Sequence, residues 1–400
     1  MYDFAVIGGG IIGTTLAYRI KKNFPNSKII LIEKEKELAF HQTGHNSGVI
    51  HSGIYYPPGS LKAKLAVHGS FLMKEFCKNY GIPIKILGKL IVANSEKELT
   101  ILKIIYERGI KNGVEGIKII NKEEIKELEP NINALRAIYV PGVAITDFKK
   151  VVEKVAHLFK NLGGEIFLST LLKGIRREKN YLILETNKGE IKTHFLITCA
   201  GLHSDRVAKM SEKNIFFKII PFRGEYYKTN RKELIQHLIY PVPNLRYPFL
   251  GVHITKNLSE EIEFGPNAVL SFSREGYKWH QFNFKDLFEV FNYSGFWRLA
   301  GKNWVIGVKE LLRTLSKKFF LEEVKKILPD IKMEDMKKGK SGIRAQCVSL
   351  DGRLIDDFLF IISENIIHVC NAPSPAATAS FAISEKIFEI IEKKLNLKSL

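Results

Sequence analysis

The sequence predicts an α/β protein built on a Rossmann-type nucleotide-binding domain. A short apolar segment, Tyr2–Ile7, stops at the glycine motif Gly8–Gly13 (GGGIIG), and a helical pattern follows it. A second apolar segment, Lys28–Ile32, ends at Glu33, which lies 20 residues beyond the motif. A GxGxxG motif alone is weak evidence, but strand, glycine turn, helix, strand and acid in this order predict a dinucleotide site.

Each conserved feature of such a site has a physical reason. Gly8 allows the tight turn, Gly10 lets backbone amides approach a pyrophosphate, and Gly13 lets helix and strand pack closely. The helix N-terminus then faces the phosphate charge. We expect Glu33 to accept hydrogen bonds from a ribose 2′-hydroxyl, which argues against NADP, and we place the adjacent Lys34 in the cofactor site.

The segment 41–56 (HQTGHNSGVIHSGIYY) favours a bound flavin over NAD. One interpretation is a metal site, because His41 and His45 are four residues apart, but Gly44 and Gly48 disfavour a helix there. A surface loop is a second interpretation. We favour a loop that runs along the pyrophosphate towards the flavin, since a retained flavin needs more of the chain around it, and we predict no metal. The cofactor-binding residues predicted in this loop are Thr43, Gly44, Asn46 and Ser47.

Two later segments are predicted to complete the FAD site. Residues 193–201 form an apolar strand that ends in Ala-Gly, and residues 368–378 form a strand, a turn of proline and small residues, and the start of an amphipathic helix. The N-terminus of that helix suits negative charge on a reduced flavin. His368 is predicted to be structural. The predicted cofactor contacts here are Ala200, Gly201, Ala372, Pro373, Ser374 and Ala376.

A series of different short motifs follows in order along nearly the whole chain. They are HQTGHNSGVIHSGIYY (41–56), SLKAKL (60–65), GKLIVA (88–93), TCAGLHSDR (198–206), PFRGEY (221–226), YPVP (240–243), PFLGVH (248–253), GPNAVL with REGY (265–277), GIRAQ (342–346), DGRLIDDF (351–358) and NAPSPAAT (371–378). By these motifs the chain resembles the L-2-hydroxyglutarate dehydrogenase (oxidase) family within the D-amino-acid-oxidase-type flavoproteins. The likeness is weaker over 136–148 and 285–340.

The resemblance implies FAD, held covalently or noncovalently, and oxidation of L-2-hydroxyglutarate, a small dicarboxylate, with electrons passed to quinone or oxygen. It also implies a substrate domain on a second, mostly antiparallel sheet, so the protein is α+β overall. Apolar segments at 216–229, 238–242, 247–254 and 262–272, separated by Pro, Asn and Gly, agree with that layout. We therefore expect a discontinuous FAD domain (1–85, 145–215 and 340–400) and an inserted substrate domain (86–144 and 216–339).

The implied reaction needs a base for a hydroxyl proton and cations for two carboxylates. Histidine suits the base because its ordinary pKa is about 6.5, and His51 and His253 are the candidates; a structural role stays open for each. Arg344 is the candidate for carboxylate binding because a guanidinium binds it bidentately. Its alternative is a structural ion pair with Asp351 or Asp357.

Two further residues are weaker candidates for substrate binding. Arg223 is predicted to hold the second carboxylate, unless it pairs with Glu225, and Tyr56 is predicted to line the pocket, unless it only packs. We interpret the remaining Lys and Arg side chains as solvated surface. Three alternatives to the main assignment stay open: a glycerol-3-phosphate dehydrogenase, an amino-acid oxidase, and a flavin-binding tRNA-modifying protein.

Composition constrains partners and location. The chain has 61 Lys+Arg against 42 Asp+Glu and a net charge of +19, but the basic residues are scattered, so we predict no nucleic-acid partner. Four widely spaced cysteines predict reduced thiols, and neither a signal peptide nor an apolar run of about 20 residues is present. We expect a cytoplasmic protein, or one bound peripherally to the inner face of the cytoplasmic membrane.

One segment raises the membrane question directly. Residues 303–328 place Trp304, Val308, Leu311, Leu315, Phe319 and Ile327 roughly along one helical stripe, with lysines and arginines around it. An interfacial helix lies on anionic lipid in this way. The same stripe also suits an ordinary helix packed against the substrate domain.

Overall fold

A computed structural model describes residues 1–243 and 251–395. The helices are α1 (Ile11–Asn23), α2 (Leu61–Asn79), α3 (Glu96–Lys111), α4 (Lys122–Leu128), α5 (Phe148–Asn161), α6 (Ser204–Ala208), α7 (Phe284–Phe291), α8 (Ser294–Leu315), α9 (Lys317–Lys325) and α10 (Ala376–Lys394). The strands are β1 (Tyr2–Ile7), β2 (Ile29–Ile32), β3 (Val49–Ile50), β4 (Ile84–Ile86), β5 (Lys89–Ala93), β6 (Lys118–Ile120), β7 (Arg136–Val140), β8 (Ala144–Thr146), β9 (Glu165–Phe167), β10 (Leu172–Arg177), β11 (Leu182–Thr186), β12 (Gly189–Thr198), β13 (Phe217–Thr229), β14 (Leu238–Pro241), β15 (His253–Lys256), β16 (Ile262–Gly265), β17 (Val269–Leu270), β18 (Lys337–Ser349), β19 (Leu359–Ile362) and β20 (Ile366–Asn371).

The first sheet is the predicted Rossmann-type sheet. Its strand order is β10-β11-β12-β1-β2-β9, with β20 also paired to β12 and β19 to β20. β1 runs parallel to both neighbours, with Phe4 opposite Phe195 on one side and Ile29 on the other. Helices α1 and α10 cover one face, where Leu16 and Ile383 belong to the same buried cluster. Burial on both faces explains why β1 and β2 are continuous apolar segments.

The second sheet has the mostly antiparallel character that was expected. Its order is β17-β13-β16-β15-β14-β5-β7-β6, and β18 pairs with β13. Every described pair in it is antiparallel except β14 with β5. Its core includes Leu90, Ile239, Ile254 and Phe264, and α9 contributes Phe320. The predicted fold class is confirmed. A third, small sheet of β3, β8 and β4 joins the end of the loop 41–56 to the following segments.

The predicted strands of the second sheet are correct in part. The segments 216–229 and 238–242 correspond to β13 and β14. The segment 262–272 is two strands, β16 and β17, because Pro266 between them cannot donate a ladder hydrogen bond. Residues 247–250 of the third segment, 247–254, lie outside the described residues. The last two residues of this segment, His253 and Ile254, begin β15, which continues to Lys256.

The division into two domains stays a prediction, and one boundary needs adjustment. β18 was divided by the expected boundary at residue 340, yet the whole strand pairs with β13 in the second sheet. Sheet membership therefore favours a boundary after Ser349.

The expected single stripe over 303–328 was wrong. The chain leaves the helical conformation at Ser316, whose hydroxyl accepts a hydrogen bond from the Phe319 amide and so begins α9 as a new helix. The change of direction buries Ile327, whereas Trp304 and Leu315 of α8 stay 66% and 70% exposed. None of the described helices is both long and apolar enough to span a bilayer.

Candidate active site

A cavity of about 850 Å³ is lined by residues of both large sheets and of the loop 41–56. Of the residues predicted for the site, all but Gly44 and Arg223 line it. They are Gly8, Gly10, Gly13, Glu33, Lys34, Thr43, Asn46, Ser47, His51, Tyr56, Ala200, Gly201, His253, Arg344, Ala372, Pro373, Ser374 and Ala376. The cavity thus joins the three segments predicted to hold FAD to the residues predicted to do chemistry.

The glycine motif leaves no room for side chains. Gly8 has a φ of +108°, and a Cβ atom there would lie 2.3 Å from the Cys199 carbonyl oxygen. A Cβ atom at Gly13 would lie 2.0 Å from the carbonyl oxygen of Gly8. The turn between β1 and α1 is therefore bare backbone against the end of β12, as a pyrophosphate requires.

Glu33 is fixed at the end of β2. One carboxylate oxygen accepts a hydrogen bond from the Gly9 amide at 2.6 Å, and the other accepts one from the Glu35 amide at 2.8 Å. Each carboxylate oxygen has a second lone pair. The side chain lines the cavity and keeps the capacity to accept the ribose hydroxyls of a nucleotide.

The loop 41–56 is held by its own side chains. Thr43 Oγ1 accepts a hydrogen bond from the Ile11 amide at 3.0 Å, which fixes the loop to the start of α1. The Asn46 amide donates to the carbonyls of Gln42 and Thr43 and accepts from Gly48, so its polar atoms fold the loop. Gly44 was predicted to contact the cofactor, but it does not line the cavity. A Cβ atom there would lie 2.6 Å from the Ala39 carbonyl oxygen, so its role is close backbone packing.

The metal interpretation of this loop has no support from its geometry. His45 stacks on Tyr277 at 4.0 Å between ring centres and does not approach a shared site with His41. His41 instead lies with Glu35 and Glu275, whose ligand atoms are within 4.8 Å of one another. The Lys34 ammonium bonds to both carboxylates. Although burial opposes ionisation, hydrogen bonds from His203 and Lys34 lower the pKa of Glu275 to about 2. The lysine supplies the positive charge that these acids need.

The C-terminal segment meets the loop at Thr378. Its hydroxyl accepts a hydrogen bond from the His51 amide at 3.1 Å and donates one to the Val49 carbonyl at 3.2 Å. His368 does not line the cavity. It is buried between the hydroxyls of Thr198 and Ser211, both at 2.8 Å, which is the structural position predicted for it.

Two histidines face the cavity close to one aromatic ring. His253 stacks on Tyr240 with ring centres 4.3 Å apart, and His51 meets the same ring edge-on at 6.5 Å. Burial, and then the nearby charge of Lys89, lower the pKa of His51 to about 3. Burial also lowers the pKa of His253 to about 3, against a hydrogen bond to the Gly251 carbonyl that favours the protonated form. Both imidazoles are therefore neutral at physiological pH.

Strand alternation decides which arginine reaches the cavity. On β18, Arg344 is directly opposite Phe222 of β13, on the face that presents Gly224 and Tyr226 to the cavity. Arg223 is one residue along β13 and therefore points to the other face. Its guanidinium lies 3.9 Å from the centre of the Trp279 ring. Arg223 does not line the cavity, and its Nε lies 3.5 Å from Glu225, so the structure favours the alternative pairing over substrate binding.

Asp351 and Asp357 were the alternative ion-pair partners of Arg344, and both have other contacts. Asp351 pairs with Arg353 at 2.6 Å, and Asp357 accepts hydrogen bonds from the first amides of α2. Burial lowers the pKa of Arg344 below its ordinary value, and the nearby Tyr226 and Glu310 oppose that shift. Arginine keeps its positive charge in proteins, so the side chain can still pair with a carboxylate.

Five basic residues in or behind the cavity wall were not predicted: Lys62, Lys89, Arg108, Arg206 and Lys285. Lys62 lines it, pairs with Asp356 at 2.8 Å and lies 4.9 Å from the Tyr56 ring centre. Arg108 also lines it and donates to the Tyr55 carbonyl at 3.0 Å. Lys89 is completely buried behind the cavity wall, so the view of all other lysines as solvated surface was wrong. The sequence did contain a sign of it, namely a lysine at the start of the apolar strand Lys89–Ala93.

Comparison with known proteins agrees with the assignment of this cavity as an FAD site. The family model described as "FAD dependent oxidoreductase" matches residues 3–390. The chain is 46% identical to the L-2-hydroxyglutarate dehydrogenase of Indibacter alkaliphilus, over 97% of this chain and 98% of that protein. It is 41% identical to the mitochondrial L-2-hydroxyglutarate dehydrogenase of Homo sapiens, over 99% of this chain and 90% of that protein. The fold is similar to that of dithionite-reduced, FAD-bound L-alpha-glycerophosphate oxidase from Mycoplasma pneumoniae, with a TM-score of 0.79 and 24% identity over 99% of this chain and 95% of that one.

Proposed function

Because this chain belongs to the L-2-hydroxyglutarate dehydrogenase family of FAD-dependent oxidoreductases, we propose that it oxidises L-2-hydroxyglutarate to 2-oxoglutarate. The observation that carries the proposal is the continuity of the cavity. The bare glycine turn and Glu33 suit the nucleotide half of FAD, and the same cavity contains two neutral histidines and Arg344. FAD, when bound, accepts the hydride that leaves C2 of the substrate.

The protein's own part of the reaction is to remove the hydroxyl proton. His253 Nδ1 donates to the Gly251 carbonyl at 3.1 Å, which leaves Nε2 of the neutral ring as the acceptor. His51 is the second candidate, and its neutral ring has the same capacity. One of these imidazoles takes the proton from the C2 hydroxyl as the hydride departs, which leaves a carbonyl carbon.

The carboxylate next to C2 needs a fixed cation. The half-buried Arg344 side chain lines the cavity, and a guanidinium can present two parallel N–H donors to a carboxylate. Arg108 adds positive charge to the same cavity and favours a substrate that is a dianion, whereas the charge of Lys62 is offset by Asp356. This arrangement orients C2 relative to the base.

The route of the electrons onward is a second part of the proposal. Helices α7 and α8 carry exposed large apolar side chains that we call the α7–α8 surface: Phe284, Phe288, Phe291, Trp297, Trp304, Val305, Val308, Leu311, Leu312 and Leu315. Phe284 is 87% exposed and Phe288 is 69% exposed. Exposed lysines lie among them, at positions 285, 302, 309 and 318. Apolar side chains surrounded by lysines suit the interface of an anionic membrane.

The position of the α7–α8 surface supports quinone as the acceptor. Lys285, next to Phe284, lines the cavity, and so does Pro266. The loop after Pro266 is bonded to α8, with the Ala268 amide donating to Glu310 at 2.9 Å. We propose that the protein is cytoplasmic, binds peripherally to the inner face of the membrane through this surface and passes its electrons to a quinone, with oxygen as the alternative acceptor.

Flavin reduction tests the proposed activity. Purified protein should be yellow, with absorbance near ~450 nm that bleaches when L-2-hydroxyglutarate is added without oxygen. D-2-Hydroxyglutarate and L-lactate should leave the colour unchanged, because the pocket positions two carboxylates and one hydrogen. Fast bleaching by glycerol 3-phosphate or an amino acid would assign a different reaction. Salt-sensitive tRNA binding without turnover of any hydroxy acid would favour a tRNA-modifying protein.

A further inference from the structure

Lys89 is a buried cation that has no hydrogen-bond partner within residues 1–243 and 251–395. It begins β5, between β14 and β7, and its side chain is 0% exposed. Removing a charge from water without a partner is costly, so buried lysines are normally paired.

Two tyrosine hydroxyls next to Lys89 are also unsatisfied. The ammonium lies 4.5 Å from the ring centre of Tyr55 and 4.9 Å from that of Tyr240. Both rings line the cavity, and neither buried hydroxyl has a partner within the described part of the chain. The Lys89 ammonium therefore lies against the two rings that carry these hydroxyls, at one part of the cavity wall.

Among the described residues, no anionic side chain contributes to the pKa of Lys89. The titratable groups nearest to its ammonium are Tyr55 and His51 from the loop 41–56, Tyr240 on β14 and His253 on β15. The histidines are neutral and the tyrosines are protonated. Burial lowers the pKa of Lys89 to about 7, which is the behaviour of an ammonium that lacks a counter-ion. An anion that enters the cavity would be its first partner.

We propose that Lys89, together with the hydroxyls of Tyr55 and Tyr240, forms the subsite for the second carboxylate of a dicarboxylate substrate. The inference rests on the proposed function and adds its specificity: Arg344 holds the carboxylate beside C2, and Lys89 selects for a second carboxylate at the far end of the substrate. Lys89 does not itself line the cavity, and the flexible lysine stem supplies the reach. A hydroxy acid with one carboxylate leaves the three donors unsatisfied, which weakens its binding.

Matched ligands separate this role from a structural one. Glutarate and valerate both have five carbons but differ by one carboxylate, and neither can reduce the flavin. Binding is measured by the rise in melting temperature and by the perturbation of the flavin spectrum. In Lys89→Met, glutarate should bind about 10- to 100-fold more weakly, while valerate binding changes less than about threefold. Lys89→Arg should retain most of the preference for glutarate, and Lys64→Met, which removes an exposed lysine on α2, should leave it unchanged.

The hydroxyls provide a second test that leaves the packing intact. Tyr55→Phe and Tyr240→Phe remove one oxygen each and should each reduce the preference for glutarate about three- to tenfold. Equal weakening of glutarate and valerate in Lys89→Met, or an unchanged preference in Lys89→Met and both tyrosine variants, would overturn the proposal. If Lys89→Met does not fold, the tyrosine variants decide. Failure of the proposed function is distinguished by the wild-type protein, because L-2-hydroxyglutarate would then leave its flavin oxidised.

Discussion

Two neutral imidazoles, His51 and His253, lie next to the Tyr240 ring in this cavity. Whichever of them is the catalytic base, its protonation state should not change in mild acid. A base acts in its deprotonated form, so lowering its pKa from the usual 6.5 to about 3 moves the loss of activity to lower pH. His51 and His253 share this property because both are buried and both lie near cations. Their difference is that only the His253 ring has a described hydrogen bond, to Gly251, that fixes its tautomer.

Substitution of each histidine by asparagine should identify the base. We expect the rate of flavin reduction to fall between about 100-fold and 10,000-fold in the variant that lacks the base, and much less in the other. In the wild type, kcat/KM should not decline from pH 8 to pH 5. The measurement is anaerobic stopped-flow reduction across this range, with the flavin spectrum as a check that FAD is bound. Unchanged rates in both variants would place the base elsewhere.

The positions of strands could be predicted from the sequence, but the face of each strand that meets the cavity could not. This difference explains which site residues were found. The strand that contains Arg223 was predicted correctly as 216–229, but the sequence does not tell which face of β13 meets the cavity. That face depends on pairing with β18, which is over 100 residues away along the chain. Lys89 was missed for a related reason, since its burial results from β14 and the loop 41–56 closing over β5.

The cofactor segments could be predicted because local backbone needs determine them. Gly8 and Gly13 are required by contacts within one turn, and Glu33 follows directly from the strand that ends there. Helices α8 and α9 show the opposite case. Their apolar periodicity was visible, but the break at Ser316, which leaves α8 exposed and buries the apolar side of α9, depends on tertiary packing against the second sheet.

The α7–α8 surface should bind anionic vesicles. We expect the protein to sediment with vesicles that contain phosphatidylglycerol at low salt and to detach as salt rises, because lysines near the bilayer contribute a screenable attraction. The double variant Phe284→Ser, Phe288→Ser should bind at least about tenfold more weakly, since each phenylalanine loses apolar burial. Phe71→Ser is the matched control, because Phe71 is 60% exposed on α2 and should not contribute. Equal binding of all three proteins would exclude this surface.

The two large sheets of the molecule both contribute residues to one cavity. Side chains that are needed there for substrate specificity can lower the stability of the fold. Residues that complete a binding site are commonly unsatisfied before the ligand arrives, and the fold compensates for them elsewhere. Lys89 fits this description, since it is fully buried on β5 and its ammonium has no hydrogen-bond partner in the part of the chain that the structure describes. Its effect on folding should therefore be unfavourable, in contrast to its proposed effect on substrate binding.

Lys89→Met should make the ligand-free protein more stable, and more so at low pH. The pKa of Lys89 is about 7 in the folded protein, against an ordinary value of 10.5. Below pH 7 the ammonium is charged in both states, so folding carries the full desolvation cost; as pH rises from 7 towards 10.5, the folded lysine is already neutral and the cost is lost. The variant should gain on the order of a few kcal/mol at pH 6 and clearly less at pH 9, measured as the difference in melting temperature from wild type at each pH. Lys64→Met should show no such dependence. A variant that folds but is less stable than wild type at pH 6 would mean that the cost of burying the Lys89 ammonium is offset in the free protein, which would contradict this prediction.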